Sequence, residues 1–380
     1  MKQGLRQRSP ARNLRNGRDT NNPTATKPTQ TPEERPMQII SRNGTRESSR
    51  IANIMVLCSP ALLDDVFPME ILAPLKEMEG VSLSVVDPGS LAEVPETLST
   101  VEAILTTWGM PVLAAEFLEA APCLRAVFYA AGSVKPFATE AAWEREITIS
   151  SAWEANGVPV AEYALGVILL SLKRFWHFSR GMRSPHPEFG EMKLPGAYRS
   201  SVGLVSLGAA GRATARLLRH FEVSVLAYDP FVHPEEASRL GVELVSLQEI
   251  FRRCDVVSLH SPWIRETEGM ITGPLVASMK EGATLINTSR GAIIAESELI
   301  EVLRQRPDLS AVLDVTHPEP PSPDSPLRSL PNVVLTPHIA GSLQKECARM
   351  GQAMIDEIRR YLAGEPLQHS LTRNQLAGMA

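Results

Sequence analysis

From Ile51 onward the chain alternates short apolar runs with stretches of helical spacing, and this alternation restricts the fold more than any other feature. Ile54–Leu57, Ser82–Val86, Ala103–Thr106 and Leu124–Tyr129 read as strands, with helices over Asp65–Glu79 and Ala114–Ala121. A second series supplies strands at Val202–Ser206, Val223–Tyr228, Val256–Leu259, Thr284–Asn287, Ser310–Leu313 and Val333–Leu335. Helices Arg212–His220 and Glu298–Arg304 fall among them. A strand covered by helices on both sides of its sheet is apolar at every position rather than at every second one. The pattern therefore predicts an α/β fold with parallel sheets. A long helix starting near Pro159 leads from the first series into the second, since proline suits a first helical turn. The last helix, Ser342–Leu362, is expected to pack back on the first series.

The expected organisation is thus a first domain made of residues 51–155 and 342–380, discontinuous in sequence, and a second of residues 156–341. Residues 1–50 carry 11 Lys/Arg against 4 Asp/Glu and almost no periodic apolar residues, so a disordered basic extension is expected there. A transit peptide or basic arm is the functional alternative for that segment. The rest carries 27 basic against 39 acidic residues, and such an acidic body argues against nucleic acid as a partner. The longest apolar stretch, Val158–Leu172, includes Glu162 and is too short to span a bilayer, so a buried helix and no membrane partner are expected. Four cysteines lie far apart with no CxxC pair. That spacing suits neither a disulfide scaffold nor a metal site and fits a reducing, cytoplasmic setting.

Strand Val202–Ser206 runs into Ser206-Leu207-Gly208-Ala209-Ala210-Gly211, which opens a helix. This is a dinucleotide fingerprint with Ser206 in place of the first glycine. Gly208 would let a pyrophosphate approach the backbone, Gly211 would let helix and strand pack closely, and the helix start would offer N–H groups to the phosphates. The next strand ends at Asp229, 18 residues after Gly211, where a carboxylate would accept hydrogen bonds from ribose hydroxyls and repel a 2′-phosphate. NAD is therefore expected over NADP. The alternative is an ordinary glycine-rich turn beside a surface Asp.

Ligands of open parallel sheets sit beyond the carboxyl ends of the strands. Four strands here end in polar residues: His260-Ser261-Pro262, Thr288-Ser289-Arg290, Asp314 with Glu319 five residues on, and Thr336-Pro337-His338. Each alone has an ordinary structural reading, as a salt bridge, a loop charge or a strand-end histidine. Together they place a cation, an acid–base group and a carboxylate on one sheet edge. An arginine can hold a substrate carboxylate in its planar fork. A histidine can protonate an incipient alkoxide, and a carboxylate beside it fixes the ring.

At these residues the sequence resembles the D-2-hydroxyacid dehydrogenase family, from about Ile51 to Glu365. The matching stretches include Val202–Leu218, Asp255–His260, Met279–Ala283, Asn287–Gly291, Asp314-Val315, Glu319-Pro320 and Thr336–Gly341. Asn156–Glu162 is similar to the family's lead into its interdomain helix. The resemblance implies two Rossmann-like, doubly wound domains with the active site in the cleft between them, usually in homodimers. It implies hydride transfer between NAD(H) and the C2 carbon of a small 2-oxo or 2-hydroxy acid, mainly in the reductive direction. Arg290, Glu319 and His338 would be catalytic, Arg290 also binding substrate with the backbone of Ala131, Gly132 and Ser133. Ser261, Pro262, Thr288, Asp314, His338 and Ala340 would join Gly208, Ala209, Ala210, Gly211 and Asp229 around the cofactor.

Three positions depart from the family pattern: Ser206, Ala209 where many members carry Arg, and Lys135 where Asp is frequent. Lys135 would either meet a second substrate anion or be solvated. Thr107-Trp108-Gly109 contains no basic residue suited to a phosphorylated substrate. Two rival readings are an NAD(H)-sensing protein of the corepressor type and a formate dehydrogenase. The second carries Gln where this chain has Glu319, and nothing in the chain reads as a DNA-binding motif.

Overall fold

The computed structural model describes residues 52–186 and 194–377, so the expected basic extension over residues 1–50 lies outside the described residues. Two sheets organise the rest. The first contains β1 (Ala52–Leu57), β2 (Val81–Val86), β3 (Ala103–Thr106), β4 (Ala126–Tyr129) and β5 (Thr148–Ser151). The second contains β6 (Ser201–Val205), β7 (Ser224–Tyr228), β8 (Glu243–Leu244), β9 (Val256–Leu259), β10 (Thr284–Asn287), β11 (Ser310–Leu313) and β12 (Val333–Leu335). A short β13 (Ser370–Leu371) returns to the first sheet. The orders are β13-β5-β4-β3-β1-β2 and β12-β11-β10-β9-β6-β7-β8. Every pairing is parallel except β13 against β5.

In each sheet the chain first builds outward and then jumps back past its starting strand. The strand order therefore reverses between β1 and β3 and between β6 and β9. At such a reversal the loops beyond the strand ends part to leave a crevice for ligands.

Both faces of each sheet are covered, which is why the strands read as unbroken apolar runs. In β1, Ile54 and Val56 pack into one cluster with Met350, Met354 and Ile358, whereas Met55 and Leu57 face a second with Leu113 and Phe137. The period of two along a strand divides the residues this way. In β9, Val257 and Leu259 join one cluster and Val256 the other. The helix Cys347–Ala363, though last in the chain among the long helices, supplies Met350, Met354 and Ile358 to the core of the first sheet.

Two helices differ from expectation. Asp65–Glu79 is broken into Pro60–Val66 and Met69–Lys76, because Pro68 has no N–H to donate and pushes Phe67 out of helical conformation. The long helix runs from Trp153 to Leu172 and carries Pro159 inside it, so it begins nearly two turns earlier than the proline suggests. By length and composition this helix could cross a membrane. Here it buries Ala161, Ala164, Val167, Ile168 and Leu172 within the fold.

Candidate active site

The nucleotide turn follows β6. The helix Ala209–Leu218 starts directly after Gly208, over which a side chain would meet nothing within 4 Å. That open face lies at the helix start, where unpaired N–H groups and the dipole attract anions. Gly211 is the opposite case: a Cβ there would sit 2.2 Å from the Ser206 carbonyl oxygen. Any side chain would force strand and helix apart. Ser206 occupies the tight-turn position with φ of +80°, a left-handed conformation that suits glycine.

Asp229 lies at the end of β7, beside this turn. Its Oδ2 accepts a hydrogen bond from the Leu207 N–H at 2.8 Å and from the Ser206 hydroxyl at 3.4 Å, and its Oδ1 accepts from the Phe231 N–H at 2.9 Å. The carboxylate is thus held next to the phosphate-binding turn. Arg212, on the first turn of the helix, is paired with Glu236. Its charge is committed, which leaves it unsuited to receive a 2′-phosphate. Farther along the sheet, the buried Thr288 hydroxyl has no partner among the described residues. An unsatisfied buried hydroxyl beside the nucleotide crevice is what a polar cofactor group would engage. Ser261 lines the same crevice from the end of β9, its hydroxyl 3.4 Å from the Val205 carbonyl oxygen. These residues fit NAD.

His338, the candidate acid–base group, sits across the sheet, after β12. Asp314, 1 % exposed at the end of β11, organises it. Its Oδ1 accepts from the Thr336 hydroxyl at 2.6 Å and the Ile339 N–H at 2.8 Å, and its Oδ2 accepts from the Ala340 N–H at 2.8 Å. The His338 N–H donates to the Asp314 carbonyl oxygen at 2.9 Å. Clamped in this way, His338 holds φ at +57° and turns its ring to Glu319, with Nδ1 to Oε1 at 2.6 Å. That contact leaves Nε2 as the ring's second working atom. Asp314, expected from the sequence to line the cofactor, also fixes the His338 turn.

Arg290 follows β10 through Asn287, which bridges the loop. Its Nδ2 donates to the Arg290 carbonyl oxygen at 2.9 Å, and its Oδ1 accepts from the Ser289 N–H at 3.0 Å. The Arg290 guanidinium donates to the Ser289 carbonyl oxygen at 2.7 Å. Burial lowers its pKa and the nearby Glu319 carboxylate raises it. The group stays cationic, as guanidinium does in proteins.

Ala131-Gly132-Ser133 leave the end of β4 in the other sheet. The Ser151 hydroxyl donates to the carbonyl oxygens of Ala131 and Gly132, which fixes the loop from below. Two residues beyond Ser133, Lys135 has its pKa lowered first by burial and then by the Arg290 charge, so the two cations share one neighbourhood. The structure therefore joins His338, Glu319, Asp314 and Ala340 by direct contact or adjacency, with Arg290 close enough to feel Glu319. Pro262 and Ser261 stand on the loop after β9, bonded within it and to the end of β6. Sequence reasoning gave no role to Ser151 or Tyr163, whose signal was a polar residue set among apolar ones on a buried strand or helix, and placed Asn156 only in the stretch leading into the long helix.

Comparison with known proteins gives the class. The D-isomer specific 2-hydroxyacid dehydrogenase NAD binding domain matches residues 165–340. A glyoxylate reductase of Korarchaeum cryptofilum is 31 % identical over 286 residues, 73 % of this chain and 85 % of that protein. The chain belongs to the D-isomer specific 2-hydroxyacid dehydrogenase family. A D-3-phosphoglycerate dehydrogenase of Archaeoglobus fulgidus is 33 % identical over 260 residues, 68 % of this chain and 49 % of that protein. The chain thus spans about half the length of the phosphoglycerate dehydrogenases it matches. A Thermus thermophilus protein of known crystal structure aligns with a TM-score of 0.65 at 27 % identity, covering 84 % of this chain and all of the other.

Proposed function

We propose that the protein is an NAD-dependent D-2-hydroxyacid dehydrogenase, working mainly as a reductase of a small, unphosphorylated 2-oxo acid. The observation that carries this reading is the 2.6 Å contact between His338 and Glu319, on the same sheet edge as Arg290 and the nucleotide turn. In this reading residues 156–341 form the NAD-binding domain, and residues 51–155 with 342–380 form the substrate domain.

Arg290 holds the substrate carboxylate through its planar fork, with the Ala131–Ser133 backbone on the opposite side. When bound, NADH supplies the hydride that adds to C2. As the carbonyl oxygen gains charge, His338 donates a proton from Nε2, and Glu319 at Nδ1 keeps that atom aimed at the oxygen. The consumed proton and hydride yield the 2-hydroxy acid and NAD⁺, and oxidation runs through the same groups in reverse.

Trp108 at the substrate-side loop, 40 % exposed with no basic neighbour at Thr107 or Gly109, supports an unphosphorylated substrate. The cysteines Cys58, Cys123, Cys254 and Cys347 are all free, which supports a cytoplasmic, reducing setting. Exposed Phe175, Met182 and Tyr198 support burial in a homodimer, to be checked by light scattering.

The deciding experiment is NADH oxidation by the purified protein against glyoxylate, hydroxypyruvate, branched 2-oxo acids and a phosphorylated 2-oxo acid. Turnover of an unphosphorylated acid is expected. Preference for the phosphorylated one would overturn that part of the reading, and turnover of none would overturn the whole.

A further inference from the structure

We infer that the helix Trp153–Leu172 sets the position of the acid–base segment Thr336–Ser342, with Tyr163 and Asn156 as the positioning residues at its two ends. The inference rests on the dehydrogenase reading of His338. Asn156 and Tyr163 are seven residues apart, close to two helical turns, so they share one face of the helix.

Each grips the segment by a hydrogen bond whose direction is fixed. The Tyr163 hydroxyl lies 2.9 Å from Thr336 Oγ1. Thr336 spends its only proton on Asp314 Oδ1 at 2.6 Å, so Tyr163 is the donor. Burial, the largest influence, pushes the Tyr163 phenol upward, which keeps it protonated and donating. At the other end the Ser342 N–H donates to Asn156 Oδ1 at 3.1 Å. With Oδ1 engaged there, the Asn156 amide nitrogen is turned toward the substrate loop, 3.7 Å from where a Cβ on Gly132 would stand.

Between these grips, Asp314 takes the Thr336, Ile339 and Ala340 donors. The left-handed backbone of His338 is therefore held from outside and not by its own preference. The same helix also rests on the nucleotide turn. A Cβ on Gly157 would lie 3.1 Å from the Ala209 Cβ and 3.2 Å from the Ala210 nitrogen, so only glycine allows this approach without displacement. One helix thus touches the substrate loop, the phosphate-binding turn and both ends of the acid–base segment. Its register sets the distance between the Ala131–Ser133 loop and the group that protonates the substrate.

The alternative is that Tyr163 only fills space, since its ring packs against the cluster containing Ile168 and Leu204. Tyr163→Phe keeps the ring and removes the donor. The expected result is a kcat about fivefold to tenfold lower, the order of one neutral hydrogen bond, with KM for the oxo acid and NADH affinity within about twofold of the parent. Thr336→Val, which also removes the donor to Asp314, should lose at least as much, Thr336→Ser should behave like the parent, and the Tyr163→Phe/Thr336→Val double variant should be no worse than Thr336→Val alone. A second readout needs no substrate. In Tyr163→Phe the Ile339 and Ala340 amides should exchange hydrogen about fivefold to tenfold faster, with amides of β4 and β9 unchanged. Unaltered exchange together with unaltered kcat, or losses that multiply in the double variant, would overturn the inference. If the parent reduces no 2-oxo acid, the dehydrogenase reading falls, and the exchange rates still decide whether Tyr163 positions the segment.

Discussion

Two turns at the carboxyl ends of strands in one sheet break the same rule for different reasons. Ser206 in the nucleotide turn and His338 in the acid–base turn both hold a positive φ, at +80° and +57°, which costs a side-chain-bearing residue roughly 1–2 kcal/mol. At His338 the proposed role belongs to the side chain, and the turn is clamped by Asp314 and by the helix Trp153–Leu172. At Ser206 the side chain makes one long contact, 3.4 Å to Asp229, while the Leu207 N–H makes the shorter one to the same oxygen. Under the proposed function, strain at one turn serves the reaction. At the other, glycine would do the same work with less.

The largest test exchanges the side chain for the rule. His338→Gly relieves the backbone and removes the proton donor. Turnover should fall by about 10²–10⁴, the range for a positioned general acid, while NADH still binds and the melting temperature does not drop. A variant that keeps a tenth of its activity would remove His338 from the chemistry.

Asp314→Asn tests the clamp. An amide nitrogen facing the Ile339 or Ala340 N–H leaves one buried donor unpaired, at a cost of about 2 kcal/mol. Denaturant unfolding should register that loss, with kcat lowered as the His338 turn loosens. Unchanged stability would mean the clamp is not needed.

On the nucleotide side, His260 stands at the end of β9, with Nε2 3.1 Å from the Ser258 hydroxyl and Nδ1 buried without a partner among the described residues. Burial pushes its pKa down to about 4 from the usual 6.5. Below pH 6.5 the unfolded chain takes up a proton that the native state refuses. Stability present above pH 6.5 should therefore be lost as pH falls toward 4, by roughly 2–3 kcal/mol. Measured against pH, His260→Asn should flatten this slope, and an identical slope would place the acid sensitivity elsewhere.

The smallest effect belongs to Ser206→Gly. Relief of the left-handed strain, offset by about 0.4–1 kcal/mol of extra freedom in the unfolded chain, should leave a gain of at most about 1 kcal/mol. NADH affinity should be equal or better. A destabilised variant would show that the Ser206 hydroxyl matters to Asp229, and the two turns would then be alike.

All the strands but β5, β8 and β13, and the polar residues at the strand ends of the second sheet, were legible because each rests on a local pattern. A doubly covered strand must be apolar throughout, and ligand-facing residues must follow it directly. Pro68 was equally local, yet its break was missed because the apolar spacing runs through it. The two-residue strands β8 and β13 had no local signature at all. They are strands only because β7 and β5 offer them an edge.

By itself, then, the sequence determined the α/β class, the nucleotide turn, and Arg290, Glu319 and His338 as the residues to examine. Tertiary structure alone decided how they are held. Tyr163 meets Thr336 across 173 residues and Asn156 meets Ser342 across 186, and Ser151 reaches back about a strand and a helix to the Gly132 loop. The periods of helix and strand report which face of an element is buried, over a few residues. Which polar group meets which depends on how two sheets and one long helix pack together, and no local spacing encodes that.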